Sequence, residues 1–169
     1  MYRVKIKTCR EHAVIPTRST DGSAGYDVKS PCEYVVRYGR QVIPAGLQTS
    51  FTHKIRLDSR PKSGYSLKGF PVVDRWGRRW RIDADVELGL IDSDYRGEIG
   101  TILHVRSLLV LLLGWLFRFR IERGQQLAQL CFSIVPHTEF VLVDDLPDTD
   151  RGHRGFGAVD DDSKSQPGK

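Results

Sequence analysis

The feature that most limits the fold of this chain is a rhythm of short, β-favouring runs separated by turn residues. Valine, isoleucine, tyrosine and phenylalanine concentrate in these runs, and glycine, proline or aspartate stands between most of them. The runs are YRVKIKT (2–8), EYVVRY (33–38), RQVIPAG (40–46), HKIRL (53–57), EIGTILHV (98–105), FRFRIE (117–122), LAQLCFSIV (127–135) and EFVLVDD (139–145). No helical period persists for long. The pattern predicts an all-β sandwich or barrel.

Length, composition and charge indicate an ordinary globular protein. The 169 residues suit one compact domain, and 40% apolar with 28% charged residues is an ordinary globular composition. The net charge of +5 suits anionic ligands and simple solubility alike. Three cysteines, Cys9, Cys32 and Cys131, lack metal-ligand spacing, and their odd number argues against a disulfide framework.

The expected location follows from the cysteines and the first residues. Free thiols indicate a reducing compartment, and MYRVKIKTCR lacks the apolar core of a secretory signal. We therefore expect an intracellular protein, in the cytoplasm or nucleus, or a viral protein in the host cell.

Two unusual segments interrupt the β pattern. Leu108–Phe117 (LLVLLLGWLF) is strongly apolar, but a membrane span needs about 20 residues, so we expect a buried strand or a subunit contact and no membrane partner. Residues 72–81 (VVDRWGRRWR) hold two tryptophans and four arginines and predict a hairpin with its tip at Trp76 and Gly77. A solvated loop is the favoured interpretation of 72–81, and a surface for nucleobases or a protein partner is the alternative.

Two segments in the first half of the chain carry residues suited to phosphate and metal chemistry. Asp27 follows the small residues of DGSAGY, so its carboxylate can hold the water shell of a metal or simply close a turn. Lys62, Ser63 and Gly64 combine a cation, a hydroxyl donor and close backbone approach. These are the ingredients of a phosphate cradle.

The segment GLIDSDYRGEIG (89–100) predicts a hairpin with its polar groups at the bend. Asp92 is placed to accept a proton from water, Tyr95 offers a flat ring for a sugar, and Arg96 suits pairing with a carboxylate. Further on, Gln129 interrupts an apolar strand and needs a protein or ligand partner.

The last chemical segment is glycine-rich. Arg151 and Arg154 can grip a polyphosphate, Phe156 can stack on a base, and the glycines, Gly157 among them, permit closure over a ligand. Beyond Val159 no apolar residue offers an anchor, so we expect a mobile end.

Taken in order, these five segments resemble the five motifs of the trimeric dUTPase family. The third is a very close match, the first and fifth are good and the second and fourth are partial. The resemblance implies a jelly-roll-like β fold and a homotrimer with active sites shared between subunits. It also implies a β domain over 1–147 and a flexible carboxy-terminal arm over 148–169.

The family's reaction would be hydrolysis of dUTP to dUMP and pyrophosphate, with water attacking the α-phosphorus and Mg²⁺ organising the triphosphate. By similarity, Asp92 would orient or deprotonate the water, Asp27 would hold hydrated Mg²⁺, and Tyr95 would lie beneath the deoxyribose. The remaining substrate-binding residues implied by the resemblance are Lys62, Ser63, Gly64, Gln129, Arg151, Phe156 and Gly157.

The chain also departs from the family pattern. Lys62 and Gln126 stand where arginines are usual, and Arg154 replaces a glycine. Ala158 and Val159 replace small hydroxyl residues, and the segments 72–81 and Leu108–Phe117 are longer than expected.

Two alternative functions remain open. One is a catalytically impaired dUTPase-derived protein that binds nucleotide or a regulatory partner, in which residues 72–81 supply the partner surface. The other is the related dCTP deaminase branch, which the spacing of Asp92 and Tyr95 disfavours.

Overall fold

The computed structural model describes residues 2–154, and the chain divides into two compact units, Met1–His137 and Thr138–Lys169. The first unit is predominantly β-sheet with two short helices, and the pairings between its strands are antiparallel. Its elements are β1 Lys5–Thr8, β2 Gly25–Lys29, β3 Tyr34–Val35, β4 Gly39–Pro44, β5 Leu47–Ser50, β6 Ile55–Arg60, α1 Ser63–Lys68, β7 Phe70–Val73, β8 Arg79–Ile82, β9 Ala84–Val86, β10 Gly89–Ile91, β11 Gly100–Val105, α2 Leu108–Phe117, β12 Arg120–Ile121 and β13 Gln126–Ile134. The all-β prediction is confirmed.

The strands form four small sheets. Their orders are β1-β5, β10-β6-β13-β2, β4-β11-β9 and β3-β12-β7-β8. The second sheet carries four of the five chemical segments on or beside its strands, because β13 lies between β2 and β6 and β10 closes the edge. Candidate site residues are therefore held by a continuous antiparallel ladder.

Two apolar clusters hold the sheets together. Phe70, Phe119 and Leu103 are fully buried in the larger cluster, and Leu47 and Leu57 are fully buried in the smaller one. Each such side chain contributes about 1.5–3 kcal/mol by leaving water. The smaller cluster lies beneath the sheet that carries the site, so its packing fixes the strands around the chemical segments.

The hairpin predicted for residues 72–81 is confirmed. β7 and β8 pair with Val73 opposite Arg79, and Gly77 takes the positive φ (81°) that the tight turn requires. Asp74 is fully buried and accepts the backbone N–H of Trp76 at 2.9 Å and the indole N–H of Trp80 at 3.0 Å. The turn is therefore fixed by one carboxylate.

The expectation of a buried strand over Leu108–Phe117 is wrong, because this segment is the helix α2. Six of its ten residues are leucine, a strong helix former, and only Val110 is β-branched. Arg118 ends the helix in the left-handed conformation, and its N–H donates to the carbonyl of Gly114 at 2.8 Å. Between residues 2 and 154, no helix combines the length and apolar character needed to cross a membrane.

Two further strand predictions also differ from the structure. Residues 89–98 do not form a paired hairpin, because β10 pairs with β6 whereas β11 pairs with β4 and β9. Residues 139–145 contain no strand, since apolar alternation makes a strand only where a ladder partner exists. The other seven runs each contain one.

The second unit is described only over residues 138–154. Thr149 accepts the backbone N–H of Gly152 in a turn at 3.0 Å, and Gly152 has φ 52°. The functional boundary after residue 147 stays a prediction. The three cysteines of the chain are free thiols, as expected.

Candidate functional site

Asp27 is the most extensively bonded of the candidate residues. It lies in β2 opposite Gln129 of β13 and is only 6% exposed. Its Oδ1 accepts from Lys62 Nζ at 2.7 Å and from the Gln129 amide at 3.3 Å. Its Oδ2 accepts from the Gln126 amide at 2.9 Å and from Ser19 Oγ at 3.1 Å. One buried carboxylate thus gathers four side-chain donors.

The charge of Asp27 is maintained by these donors. Burial raises the pKa of its carboxyl, but the hydrogen bonds from Lys62 and Ser19 and the positive charge of Lys62 outweigh that effect. The pKa of Asp27 is therefore lowered below its ordinary value. At neutral pH the group is a carboxylate paired with an ammonium.

The second segment begins a short helix instead of a loop. α1 starts at Ser63, and the Lys62 carbonyl accepts the backbone N–H of Tyr65 at 2.8 Å. Ser63 and Gly64 are exposed, and nothing lies within 4 Å of a Cβ placed on Gly64. The nearby Arg60 pairs with Asp58 at 3.0 Å and is not among the four side chains that donate to Asp27.

The two glutamines of β13 show what sequence reasoning found and missed. Gln129 was predicted to need a partner, and the partner is Asp27. The sequence analysis noted Gln126 only because it stands where the family usually has an arginine, yet its amide makes the shorter bond to the Asp27 carboxylate. Ser19 lies outside every predicted motif, and no sequence signal identified it.

The third segment forms an open pocket at the end of β10. Asp92 and Tyr95 line a cavity of about 190 Å³ together with Ser59, Ile91 and Ile102, among others. Asp92 is exposed, and its backbone carbonyl accepts the N–H of Tyr95 at 3.2 Å. This carboxylate therefore faces solvent, in contrast to Asp27.

The ring of Tyr95 is held in a fixed position. Its hydroxyl donates to the carbonyl of Glu98 at 3.1 Å. A Cβ at Gly97 would lie within 3 Å of the ring, so a larger residue there would require the Tyr95 ring to move. Arg96 bonds the carbonyls of Ser93 at 2.8 Å and Tyr95 at 3.0 Å, and between residues 2 and 154 it pairs with no carboxylate.

A salt bridge absent from the sequence prediction clamps this loop. Arg10 binds both oxygens of Glu98, at 2.5 and 2.8 Å, and Glu98 also accepts the N–H of Gly46 at 2.8 Å. The hydrogen bond from Arg10 outweighs burial and lowers the pKa of Glu98. The partners are 88 residues apart, so sequence spacing gave no signal for the pair.

Strand register shows that Asp27 and Asp92 are far apart within one chain. Asp27 of β2 and Arg60 of β6 both lie opposite Gln129 of β13. Ile91 of β10 pairs with Leu57 of β6, so the next residue, Asp92, lies four residues along β6 from Arg60. That offset is about 13 Å along the strands and about 14 Å across three strand spacings, roughly 20 Å in total. One phosphorus atom cannot contact both groups.

The remaining candidates lie in the second unit or outside the described residues. Arg151 donates through Nε to the carbonyl of Arg154 at 3.0 Å. Phe156 and Gly157 lie outside the described residues. Over residues 2–154, no group of three or more histidine, cysteine, aspartate or glutamate side chains is arranged to hold a metal ion.

Comparisons with known sequences agree on one family. A family model described as dUTPase matches residues 11–159. The deoxyuridine 5'-triphosphate nucleotidohydrolase of Arabidopsis thaliana is 35% identical over 156 residues, covering 92% of this chain and 81% of the plant protein. The swinepox virus protein of the same name is 34% identical over 156 residues, covering 92% of this chain and 95% of its own.

Solved structures give the same result for the fold. A mutant dUTPase of Staphylococcus bacteriophage 80alpha with dUpNHpp superposes with a TM-score of 0.72 at 21% identity, over 93% of this chain and 98% of the phage chain. A mutant dUTPase from phage phi11 of S. aureus, described with a structural Mg(II) ion, gives a TM-score of 0.69 at 19% identity, over 85% and 97%. These likenesses confirm the predicted dUTPase-like fold.

Proposed function

This chain belongs to the dUTPase family, and on that premise we propose that it hydrolyses dUTP to dUMP and pyrophosphate. The observation that carries the proposal is the pocket after β10, where an exposed aspartate and a fixed tyrosine ring line one cavity. The named relatives, at 34–35% identity over most of the chain, support the same reaction.

The pocket residues suit the two tasks of such a hydrolase. Asp92 is an exposed carboxylate able to accept a proton from water as the water oxygen attacks the α-phosphorus and the bond to pyrophosphate breaks. Tyr95 presents its ring in one orientation, because its hydroxyl is tied to Glu98 and its ring packs on Gly97. A ring held in this way is a platform for a deoxyribose.

The phosphate-binding group is assigned to the segments around Asp27. Lys62 carries the positive charge and Gln129 a donor amide, and Ser63 and Gly64 are exposed beside them. Arg151, Phe156 and Gly157 would complete the site from the carboxy-terminal arm. Charge neutralisation and positioning by these groups would supply most of the rate enhancement.

Magnesium is proposed as a partner of the substrate triphosphate. A carboxylate has about four acceptor positions, and Lys62, Ser19, Gln126 and Gln129 already donate to Asp27. This arrangement does not fit Asp27 as a holder of a hydrated cation unless a donor leaves it. We therefore assign Asp27 the task of orienting Lys62 and Gln129.

We further propose that the active site is completed by other copies of the chain in a homotrimer. The separation of roughly 20 Å between Asp27 and Asp92 follows from the strand register. Groups that act on one triphosphate must lie within a few ångströms of it. A site built between copies brings an Asp27 cluster of one chain to an Asp92 pocket of another.

Pyrophosphate release from dUTP with magnesium tests the proposal, with dTTP, dCTP and UTP as parallel substrates. We expect release from dUTP alone, and ammonia release from dCTP would instead identify a deaminase. Binding of dUTP by the intact assembly without turnover would support the interaction-protein alternative and contradict the proposed hydrolysis.

A further inference from the structure

We infer that α2 and the tip of the β7–β8 hairpin form a docking surface for a membrane surface rich in anionic lipid. The sequence predicted no membrane partner because Leu108–Phe117 is too short to span a bilayer. A helix that lies in the plane of the interface does not need to span it. The inference is independent of dUTP hydrolysis.

The two segments that are longer than the family pattern meet in the structure. The backbone N–H of Arg75 at the hairpin tip donates to the carbonyl of Phe117 at the end of α2, at 2.8 Å. The ring of Phe117 makes edge contacts with Trp76 at 5.7 Å and with Trp80 at 5.3 Å. One continuous surface therefore results from segments that are distant in sequence.

The outer side of α2 is apolar where a surface helix is ordinarily polar. Leu108, Leu111, Leu112 and Trp115 follow the i, i+3, i+4, i+7 spacing of one helix face and are 66%, 49%, 66% and 77% exposed. On the other side, Val110 is buried in the larger core cluster. The helix thus anchors itself through Val110 and presents four large apolar side chains to solvent.

Positive charge lies at the carboxyl end of this apolar stripe. Arg75 and Arg78 lie over the exposed ring of Trp76, at 5.4 and 5.9 Å, and Arg118 follows the helix. None of these three arginines forms an ion pair with a residue between 2 and 154. The sequences 107–121 and 75–82 contain no acidic residue.

The leucines and tryptophan of α2, together with the arginines beside them in the hairpin tip and at Arg118, match an anionic lipid surface better than a second copy of the chain does. Tryptophan prefers the headgroup level, leucine the acyl boundary, and arginine the lipid phosphates. In an isologous contact with a second copy, like-charged arginines would face each other. An anionic lipid surface therefore offers a favourable contact to the leucines, the tryptophan and the arginines at the same time.

The test is binding of the full chain to phosphatidylcholine vesicles with and without phosphatidylserine, measured by co-sedimentation and by tryptophan emission. We expect binding that requires phosphatidylserine and weakens with salt. The double variant Leu112→Ser/Trp115→Ser should lose at least about tenfold in affinity, and Arg75→Gln or Arg78→Gln about fivefold each. The matched controls are Leu142→Ser and Arg3→Gln, which should bind as the wild type does.

Each other outcome contradicts the inference. Failure of the folded wild type to bind anionic vesicles would overturn it. Equal binding by Leu112→Ser/Trp115→Ser would show charge attraction without helix insertion. If light scattering finds the wild type in assemblies that Leu112→Ser dissociates, and vesicle binding is absent, then the occupant is a second copy. Pyrophosphate release from dUTP should stay unchanged in every variant, so failure of this inference is distinguishable from failure of the proposed reaction.

Discussion

Asp27 and Asp92 are aspartates associated with the same sheet, but their surroundings differ. Asp27 is buried, and both oxygens accept side-chain hydrogen bonds from Lys62 and its neighbours. Asp92 is exposed in an open pocket. A carboxylate whose acceptor positions are filled organises its donors, whereas one that faces solvent can take a proton from water. Residue type and motif membership alone do not separate these two roles.

The largest expected effect of a single substitution is at the exposed carboxylate. Asp92→Asn should lower kcat for dUTP by about 10²–10⁴-fold, because the amide cannot accept the proton of the attacking water. Its unfolding midpoint in urea should match the wild type, since no buried contact changes. Asp94→Asn, two residues away and also exposed, is the matched control and should retain turnover. Full activity in Asp92→Asn would remove the proposed base.

Substitution of the buried Asp27 should, in contrast to Asp92, lower the stability of the folded chain. Asp27→Ala leaves Lys62 without its counter-charge in a part-buried position, so we expect a loss of about 3–5 kcal/mol in the free energy of unfolding. Urea denaturation of this variant beside Asp92→Ala measures the contrast. Equal stability of the two variants would contradict the distinction between the two aspartates.

Acid unfolding sharpens the comparison further. The lowered pKa of Asp27 means that its stabilising effect is fully present above the ordinary aspartate pKa of about 3.9 and is lost as the pH falls through the lower folded value. The difference in unfolding free energy between wild type and Asp27→Asn should stay constant from neutral pH to about 5 and shrink below about 4. A difference that does not change with pH would mean that Asp27 has the same pKa in both states.

A smaller effect on dUTP turnover is expected from the Arg10–Glu98 salt bridge beside the Asp92 pocket. Glu98→Gln removes the charge that Arg10 binds through two hydrogen bonds, so the loop bearing Tyr95 should lose its fixed position. We expect a several-fold rise in KM for dUTP with little change in kcat. Steady-state kinetics measure both, and Glu11→Gln, a nearby exposed glutamate, is the control. An unchanged KM would show that the clamp does not position Tyr95.

Sequence patterns predicted seven runs that each contain a strand and singled out Asp27 and Asp92, but they did not predict how far apart the two aspartates lie. Gln129 was correctly expected to need a partner, yet only the pairing of β13 with β2 shows that the partner is Asp27. Arg10 and Glu98 meet through long-range folding that no local pattern encodes. Alternation and turn residues are local signals, and ladder register is not.

The errors have a common physical origin. Leu108–Phe117 lacks both helical and strand periodicity because it is apolar on every side, so its high leucine content was a better guide than pattern. Residues 139–145 alternate correctly but contain no strand. Local helix propensity therefore decided the first case, and the lack of a pairing strand decided the second.

Complementation between two variants tests most directly whether one active site takes Asp92 and Lys62 from different copies of the chain. Asp92→Asn and Lys62→Gln would each be assayed for pyrophosphate release alone, then denatured together in equal amounts and refolded. Random assortment in a site shared between copies should restore about a quarter of the wild-type activity. If both groups came from the same chain, every site would carry one substitution, and a mixture no more active than the two variants alone would contradict the shared site.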